Sequence, residues 1–290
     1  MNQTLPILIQ REHKDRLFKF IFGQENEKSK KWRLLLYNAL NGTKYTDPNA
    51  LKINTIENVL YITMHNDISF LLDSEMNLYE EQSSRNPNMP LRGFLYFAIL
   101  YQSYLKENNK NLISDQLIKI PAPKFIVFYN GPDSKPDTWN IKLSDAFITK
   151  DKSGDFEWTA KVINIHPNHN KRLQNNCKPL YDYISFITQI KINCKNGLDK
   201  VFAIEQAVDW AIKEELLEGF FKENKAQIIG SCLTEFDEEE FKRICYEDGA
   251  YEKAIEDAVV LVKDFNATPE LAAQKMKAPL EKVLEALENS

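Results

Sequence analysis

Apolar residues recur at two different spacings in the first part of the chain. They lie three or four positions apart over residues 12–22 and 28–40, the spacing of one helix face, and Asn41 and Gly42 then provide a helix stop. From residue 58 the pattern changes to short runs rich in Val, Ile, Tyr and Phe. These runs predict a small antiparallel meander with strands over residues 59–64, 68–72 and 77–82.

A helix and a buried strand are predicted to follow the meander. Residues 91–105 have the pattern of an amphipathic to buried helix, and Asn88 can cap its start. Pro121 and Pro123 are expected to break the chain before residues 124–129, an apolar run typical of a buried strand. The order of helices, three strands, helix and strand predicts an α/β fold with a mixed central sheet flanked by helices.

The second half of the chain is predicted to be mostly helical after one more strand over residues 160–165. Helical periodicity recurs over residues 180–192, 201–221 and 250–265. Residues 268–287 are predicted to form two short helices. We therefore predict an α/β core over residues 1–170, a helical extension packed on it over residues 171–265, and a small helical tail over residues 266–290.

The overall charge hides a strong gradient along the chain. The 290 residues have a formal net charge of −5, which alone argues against a nucleic-acid partner. Residues 1–45, however, hold nine basic and four acidic residues, a net charge of +5, whereas residues 199–290 hold eleven basic and twenty-two acidic residues, a net charge of −11. This gradient indicates that one end meets a polyanion such as DNA and the other faces solvent or a protein partner. Two solvated helix faces would give the same gradient.

Composition and spacing argue against several classes of protein. The four cysteines are widely spaced with no CxxC pair, which argues against a zinc ribbon and against a disulfide framework. His166 and His169 lie near Cys177 but have no evident fourth ligand, so we expect no zinc there. No apolar stretch is long enough to cross a bilayer, so we expect no membrane span. Residues 1–10 lack the pattern of a secretion signal, so we expect a cytoplasmic protein.

Two carboxylates in the predicted meander are candidates for a metal site. Asp67 begins one strand and Glu80 lies in the next, so the two can converge on one sheet face. Side-chain alternation puts Gln82 on the face of Glu80, and the backbone carbonyl of Glu81 could complete a metal shell. Mg²⁺, or Mn²⁺ in its place, selects carboxylate oxygens and lowers the pKa of an attacking water in phosphodiester hydrolysis. The pattern alone also fits a solvated hairpin face.

Basic residues near this pair are candidates for DNA binding. The helix predicted to begin near Met89 would direct its N-terminal amides toward the strand of Glu80, with Arg85 and Arg92 nearby. An ordinary capped helix is the alternative. Lys19 in the opening helix could supply the positive charge that Gln82 lacks, or could be a surface lysine.

Several segments carry a resemblance to a known family. Residues 15–23, 66–70, 77–93 and 123–131 resemble the Rpn-type PD-(D/E)XK nucleases, which promote recombination and are also described as transposases, over about residues 12–250. The resemblance implies a restriction-endonuclease-like core and magnesium-dependent DNA cleavage linked to recombination or transposition. It also implies that Asp67 and Glu80 are metal ligands and that Gln82 holds the place of that superfamily's lysine.

The missing lysine leaves two functions open. An active nuclease that cuts both strands would favour a symmetric homodimer. Because Gln82 carries no charge, the alternative is a catalytically weak or inactive nuclease fold that acts as a DNA- or protein-binding scaffold. Uptake of Mg²⁺ or Mn²⁺ separates the two.

Overall fold

A mixed β-sheet with helices on both faces forms the centre of the computed structural model, which describes residues 17–53, 67–113, 115–150, 153–235, 253–265 and 267–288. The strands in these residues are β1 (Lys52–Ile53), β2 (Ile68–Leu72), β3 (Glu75–Gln82), β4 (Ala122–Tyr129), β5 (Thr138–Lys142) and β6 (Thr159–Asn164). The helices are α1 (Leu17–Phe22), α2 (Glu27–Asn41), α3 (Met89–Glu107), α4 (Lys171–Asn176), α5 (Lys178–Lys195), α6 (Lys200–Lys213), α7 (Phe220–Glu223), α8 (Lys225–Glu235), α9 (residues 253–265), α10 (Pro269–Met276) and α11 (Leu280–Glu288).

The order of the strands determines which residues meet at the sheet edges. Within the described residues the order is β1-β2-β3-β4-β6-β5. The first three strands form an antiparallel meander, β3, β4 and β6 are parallel, and β5 returns antiparallel to β6. Parallel neighbours need a crossover, which α3 provides between β3 and β4. In the β2–β3 ladder Ile68 pairs with Tyr79, so the next position places Asp67 opposite Glu80.

Two hydrophobic layers cover the two faces of the sheet. On one face, Tyr79 and Phe128 pack edge to face at 5.6 Å, and Phe18 of α1 contacts Phe128 at 5.3 Å. On the other face α3 packs over the sheet, with Tyr96 in the same buried cluster as Leu78 of β3. Each aromatic side chain buried in this way stabilises the fold by about 2–3 kcal/mol of transfer free energy.

The first of these layers continues into the helices of the second half of the chain. Residues of α5, α6, α7 and α8 belong to the same buried cluster as α1 and α2. Helices α9, α10 and α11 instead share a small cluster of their own around Ala258, Ala272 and Val283. None of the helices in the described part of the chain is long and apolar enough to cross a membrane.

The structure confirms the predicted α/β class and mixed sheet, with differences at particular elements. The predicted strands over residues 68–72, 77–82, 124–129 and 160–165 are present with small shifts of their bounds, whereas the strand expected over residues 59–64 lies outside the described residues. The sequence predicts neither β1 nor β5. The alternating sequence of β5, Thr-Trp-Asn-Ile-Lys, is the pattern of a half-buried edge strand.

The prediction that Pro123 breaks the chain before a strand is wrong. Pro123 lies inside β4, opposite Met76 of β3. The neighbour on the other side, β6, begins its pairing only at Ile126. The missing N–H of a proline is tolerated where one side of the strand has no partner.

The single helix predicted over residues 201–221 is also wrong, because the chain breaks after α6. Glu215, Leu217 and Glu218 have positive φ angles of 51–53° in a short 3₁₀ segment between α6 and α7. The buried carboxylate of Asp182 accepts a hydrogen bond from the Leu217 N–H at 3.0 Å. This contact from α5 satisfies a backbone donor that the break would otherwise leave buried and unpaired.

Candidate functional site

The carboxyl ends of the parallel strands β3, β4 and β6 meet at one edge of the sheet. The Asn130 N–H donates to the Gln82 carbonyl at 2.9 Å, and the Ile165 N–H donates to the Tyr129 carbonyl at 2.8 Å. In open α/β sheets this edge is where ligands commonly bind. Two polar clusters lie along it, one at the end of β3 and one in the loops after β4 and β6.

The first cluster, called the carboxylate cluster below, consists of Asp67, Glu80, Gln82 and Arg92. Asp67 and Glu80 are both buried, with 7% and 0% of their surface exposed. The backbone N–H of Asp67 donates to Oε1 of Glu80 at 3.3 Å. Oδ2 of Asp67 accepts from the backbone N–H of Glu81 at 2.7 Å. Two carboxylates thirteen positions apart are therefore held together by the pairing of adjacent strands.

Glu80 has a cationic partner from α3. Nη2 of Arg92 lies 3.1 Å from Oε2 of Glu80, with the two side chains 15% and 1% exposed. A carboxylate buried this deeply requires such a partner, since an isolated charge in the interior is very unfavourable. Burial and the nearby charge of Glu80 also raise the pKa of the Tyr96 hydroxyl, which lies beside Arg92.

Gly93 allows the helix that carries Arg92 to approach the sheet. A Cβ atom at Gly93 would lie 2.3 Å from the ring of Phe125 in β4. At this distance the ring or the helix would have to move. Only a residue without a side chain fits between α3 and β4 at this point. The close approach places Arg92, the preceding residue, over the end of β3.

The backbone of Glu81 points toward the same region. Its N–H is bonded to Asp67, and the N–H and C=O of one strand residue point to the same neighbour. The Glu81 carbonyl therefore points to the side of Asp67, where β2 begins. The structure thus brings Asp67, Glu80 and this carbonyl to one place, as the sequence pattern predicts.

Gln82 lies on the face of Glu80, but its amide is not satisfied. Only 7% of the residue is exposed, and its Nε2 atom is buried with no hydrogen-bond partner. A cavity of about 10 Å³, room for one water molecule, adjoins it and is also lined by Arg85 and Met89. Two carboxylates, the Glu81 carbonyl and the side-chain oxygen of Gln82 are the kinds of oxygen ligand that Mg²⁺ prefers.

The three basic residues predicted to bind DNA have different surroundings. Arg85 is exposed in the loop after β3, beside Gln82. Arg92 instead contacts Glu80, so a phosphate would compete with that carboxylate for its guanidinium. Lys19 belongs to α1, whose apolar side chains pack on the sheet face opposite to that of Gln82. Of the three, Arg85 is therefore the one with an exposed side chain on the side of the sheet where Gln82 lies.

Part of the basic N-terminal charge is neutralised within the chain. Lys28 of α2 lies 2.8 Å from Glu223, and Lys31 lies 3.0 Å from Glu218. Arg33 is fully buried and donates to the carbonyl of Phe22 at 2.9 Å. Lys28 and Lys31 thus contact the acidic second half of the chain, Arg33 is buried against the loop after α1, and these three cations are not a clear DNA-binding face.

The second cluster, called the histidine cluster below, consists of Asp133, Asp137, His166 and His169. Nε2 of His169 lies 2.6 Å from Oδ1 of Asp133, and Nδ1 of the same ring lies 2.6 Å from Oδ1 of Asp137. Nδ1 of His166 lies 3.3 Å from Oδ1 of Asp133. Among the described residues, Asp133, His166 and His169 form a group whose metal-ligating atoms all lie within 4.8 Å of one another.

These contacts change the acidity of two members of the histidine cluster. Burial by itself would raise the pKa of Asp133, but hydrogen bonds from His166, His169 and Asn168 together lower it far below its usual range. The same contact with Asp133, aided by Asp137, raises the pKa of His169 against the effect of burial. The two side chains are therefore an ionised acid and a basic imidazole.

The sequence draws attention to His166 and His169 with Cys177 nearby, but it does not show their actual partners. Cys177 is completely buried in the hydrophobic core, and burial raises the pKa of its thiol to about 12. The partners are instead Asp133 and Asp137, in the loop after β4. That loop and the histidine loop each follow a strand, but the sequence does not show that β4 and β6 are parallel neighbours.

Comparison of the chain with known protein families, with curated proteins and with solved structures finds no match. Function is therefore inferred from the chemistry of the two clusters, together with the resemblance carried by the sequence segments named above.

Proposed function

We propose that the protein is a metal-dependent endonuclease that hydrolyses phosphodiester bonds in DNA, with Asp67 and Glu80 as the carboxylates that hold the metal. The observation that carries this proposal is the placement of Asp67 opposite Glu80 on adjacent strands, both buried at the end of β3. Mg²⁺, or Mn²⁺ in its place, supplies a Lewis acid for the phosphate and lowers the pKa of a bound water.

The order of elements around the site supports a restriction-endonuclease-like core. Helix α2, the antiparallel strands β2 and β3, the crossover helix α3 and the parallel strand β4 follow one another in the order predicted from the sequence. The resemblance to Rpn-type nucleases then suggests a role in recombination or transposition. A fold of this kind accommodates several activities, so the proposal depends on the site.

Each residue of the carboxylate cluster has a distinct role in this proposal. Asp67, Glu80 and the carbonyl of Glu81 would hold the ion. The amide of Gln82 would orient a water, which also satisfies its unpaired Nε2. Arg92 balances the charge of Glu80 when no ion is bound, and the exposed Arg85 would contact the DNA backbone.

DNA cleavage by designed variants tests the proposal. Purified protein should nick or cut duplex DNA in Mg²⁺ and remain inactive in a chelator. Asp67→Asn retains an acceptor for the Glu81 N–H but loses the charge, so cleavage should fall by at least about 100-fold, the scale of losing one electrostatic contact to a transition state. Glu80→Gln should have a similar effect.

Glu75→Gln is the matched control for these variants. Glu75 begins the same strand, about 17 Å from Glu80 at the usual rise per residue, and bonds to Tyr37 at 2.9 Å. Its cleavage rate should equal that of the wild type. Equal activity in wild type and Asp67→Asn would show that another site, or a contaminant, cuts the DNA.

A nuclease fold without catalytic activity is the second candidate, and one observation favours it. Arg92 already occupies Oε2 of Glu80, and Gln82 supplies no positive charge at the place of the superfamily's lysine. In that case the protein would act as a scaffold for DNA or a protein. Calorimetry that shows no Mg²⁺ or Mn²⁺ uptake, together with no DNA cleavage, would select this candidate.

A further inference from the structure

The histidine cluster has no part in the proposed nuclease, yet it has the chemistry of a metal centre. We propose that Asp133, His166 and His169 bind a first-row transition-metal ion, with zinc the ion expected, and that Asp137 positions His169. This site is separate from the carboxylate cluster and would exist whether or not the protein cleaves DNA.

The donor set determines the class of metal. Two imidazole nitrogens and one carboxylate oxygen converge, with Asp133 Oδ1 at 2.6 Å from His169 Nε2 and at 3.3 Å from His166 Nδ1. Imidazole ligands suit zinc, iron, nickel and copper, whereas Mg²⁺ and Ca²⁺ prefer sites made only of oxygen. The histidine cluster therefore selects a different ion from the one proposed for Asp67 and Glu80.

Asp137 has the position of a residue that orients a metal-binding histidine. It contacts Nδ1 of His169, which leaves Nε2 directed at Asp133. A metal-bound histidine usually donates its other ring N–H to a carboxylate or carbonyl, which fixes the tautomer and strengthens the ligand. With a metal at Nε2, Asp137 would accept the Nδ1–H of His169.

The two loops that carry the ligands are tied together by amide side chains. Nδ2 of Asn170 donates to the carbonyls of Asp137 and Asn164 at 2.7 and 2.8 Å. Nε2 of Gln174 donates to the carbonyl of His169 at 2.6 Å, and Nδ2 of Asn164 donates to the carbonyl of Lys135 at 3.0 Å. The ligands are thus held near one another before an ion binds, which reduces the entropy lost on binding.

The position of the site leaves room for a further ligand. Three protein ligands leave one tetrahedral position to water or to an exogenous group. The side chains of His166 and Asp133 are 15% and 12% exposed, so the cluster is reached from solvent.

The histidine cluster is also separated from the carboxylate cluster. Strands β3 and β6, which lead to the two clusters, are two positions apart in the sheet, about 10 Å. This distance is too large for the two ions of a two-metal nuclease, which lie 3.5–4 Å apart.

Zinc titration of the full chain tests the proposal directly. Calorimetry with ZnCl₂ should show one tight site in the wild type, and zinc should raise the melting temperature. Asp133→Asn and His166→Gln should each weaken zinc binding by more than about 100-fold, since even the loss of an outer partner costs 10–100-fold. His166 is more exposed than His169, so His166→Gln is the variant least expected to disturb the fold.

Two controls make every outcome informative. Asp145→Asn changes an exposed acid beyond the end of β5, at the opposite edge of the sheet, and should bind zinc like the wild type. Co²⁺ should give visible absorption bands in the wild type that are lost in His166→Gln, a readout that thermal stability alone would not move. Zinc affinity unchanged in both ligand variants, or no zinc binding by the wild type at micromolar concentration, would overturn the proposal.

Discussion

The two clusters at the carboxyl edge of the sheet give their acids different kinds of partner. In the carboxylate cluster, the charge of Glu80 is balanced by Arg92, a cation that comes from a separate helix and binds no metal. In the histidine cluster, Asp133 contacts the rings of His166 and His169, two side chains that are themselves proposed as metal ligands. To bind an ion, the first cluster must therefore break a salt bridge, whereas the second only rearranges contacts among its own proposed ligands.

Metal binding would therefore change different contacts in the two clusters. An ion at Asp67 and Glu80 would replace the attraction of Arg92, so the ion and the arginine compete for one carboxylate. An ion at Asp133 would replace hydrogen bonds between residues that all remain as ligands. Variants that alter the neutralising residues separate the two clusters more sharply than variants that remove the acids.

The largest effect is expected from Arg92→Ala. Removing the cation takes away the positive charge that balances the buried Glu80 carboxylate, which should lower the free energy of unfolding by about 3 kcal/mol. Added Mg²⁺ should restore more stability to this variant than to the wild type, because the ion no longer competes with the guanidinium. Urea unfolding with and without Mg²⁺ measures both effects.

Lys124→Ala is the control for that prediction. Lys124 pairs with Glu75 at 3.5 Å, but the two side chains are 48% and 28% exposed. An exposed pair of this kind contributes less than about 1 kcal/mol. Equal losses in Arg92→Ala and Lys124→Ala would mean that Glu80 does not depend on Arg92.

A smaller effect is expected from Asp137→Asn in the histidine cluster. The change removes the charge that orients His169 but keeps all three proposed ligands, so zinc affinity should fall by about 10–100-fold. Competition with a zinc-sensitive dye measures this. An unchanged affinity would leave Asp137 as an ordinary surface residue, consistent with its 65% exposure.

The smallest effect is expected from Gln82→Met. The variant removes a buried amide nitrogen that has no hydrogen-bond partner, so the free energy of unfolding should rise by about 1 kcal/mol. DNA cleavage should fall in the same variant, because the proposed water-orienting group is lost. A gain in stability with unchanged cleavage would remove Gln82 from the site.

Gln174→Met is the comparison for Gln82→Met, because it removes a buried side-chain nitrogen that does have hydrogen-bond partners. Gln174 is buried as deeply, but its Nε2 donates to two carbonyls. Its replacement should therefore lower stability by about 1–3 kcal/mol, because two acceptors lose their donor. The same sign of change in both glutamine variants would contradict the view that the Gln82 amide lacks a partner.

The sequence predicts local elements and contacts better than it predicts long-range neighbours. Asp67 and Glu80 belong to strands joined by a tight turn, so alternation and turn residues suffice to bring them together. The burial of both sheet faces at β4 also follows from its apolar run. The sequence predicts that Arg92 lies near the site. Its pairing with Glu80 depends on the close approach of α3 at Gly93, and no sequence pattern predicts that approach.

The histidine cluster shows where sequence reasoning stops. Asp133 and His169 are 36 positions apart. They lie in the loops after β4 and β6, and the chain forms β5 between these two strands. Their meeting requires the strand order β4-β6-β5, in which β6 inserts between its two predecessors. Alternation predicts which side of a strand a residue occupies, but not which strand lies beside it.

The most direct test of the central claim is a crystal structure of the protein soaked in Mn²⁺, with anomalous diffraction measured at the manganese edge. We expect one ion between the carboxylates of Asp67 and Glu80, about 2.0–2.3 Å from their oxygens and from the Glu81 carbonyl, with Arg92 displaced from Glu80. The proposed nuclease site would be contradicted if saturating Mn²⁺ gave no anomalous peak between Asp67 and Glu80 and Arg92 remained bound to Glu80.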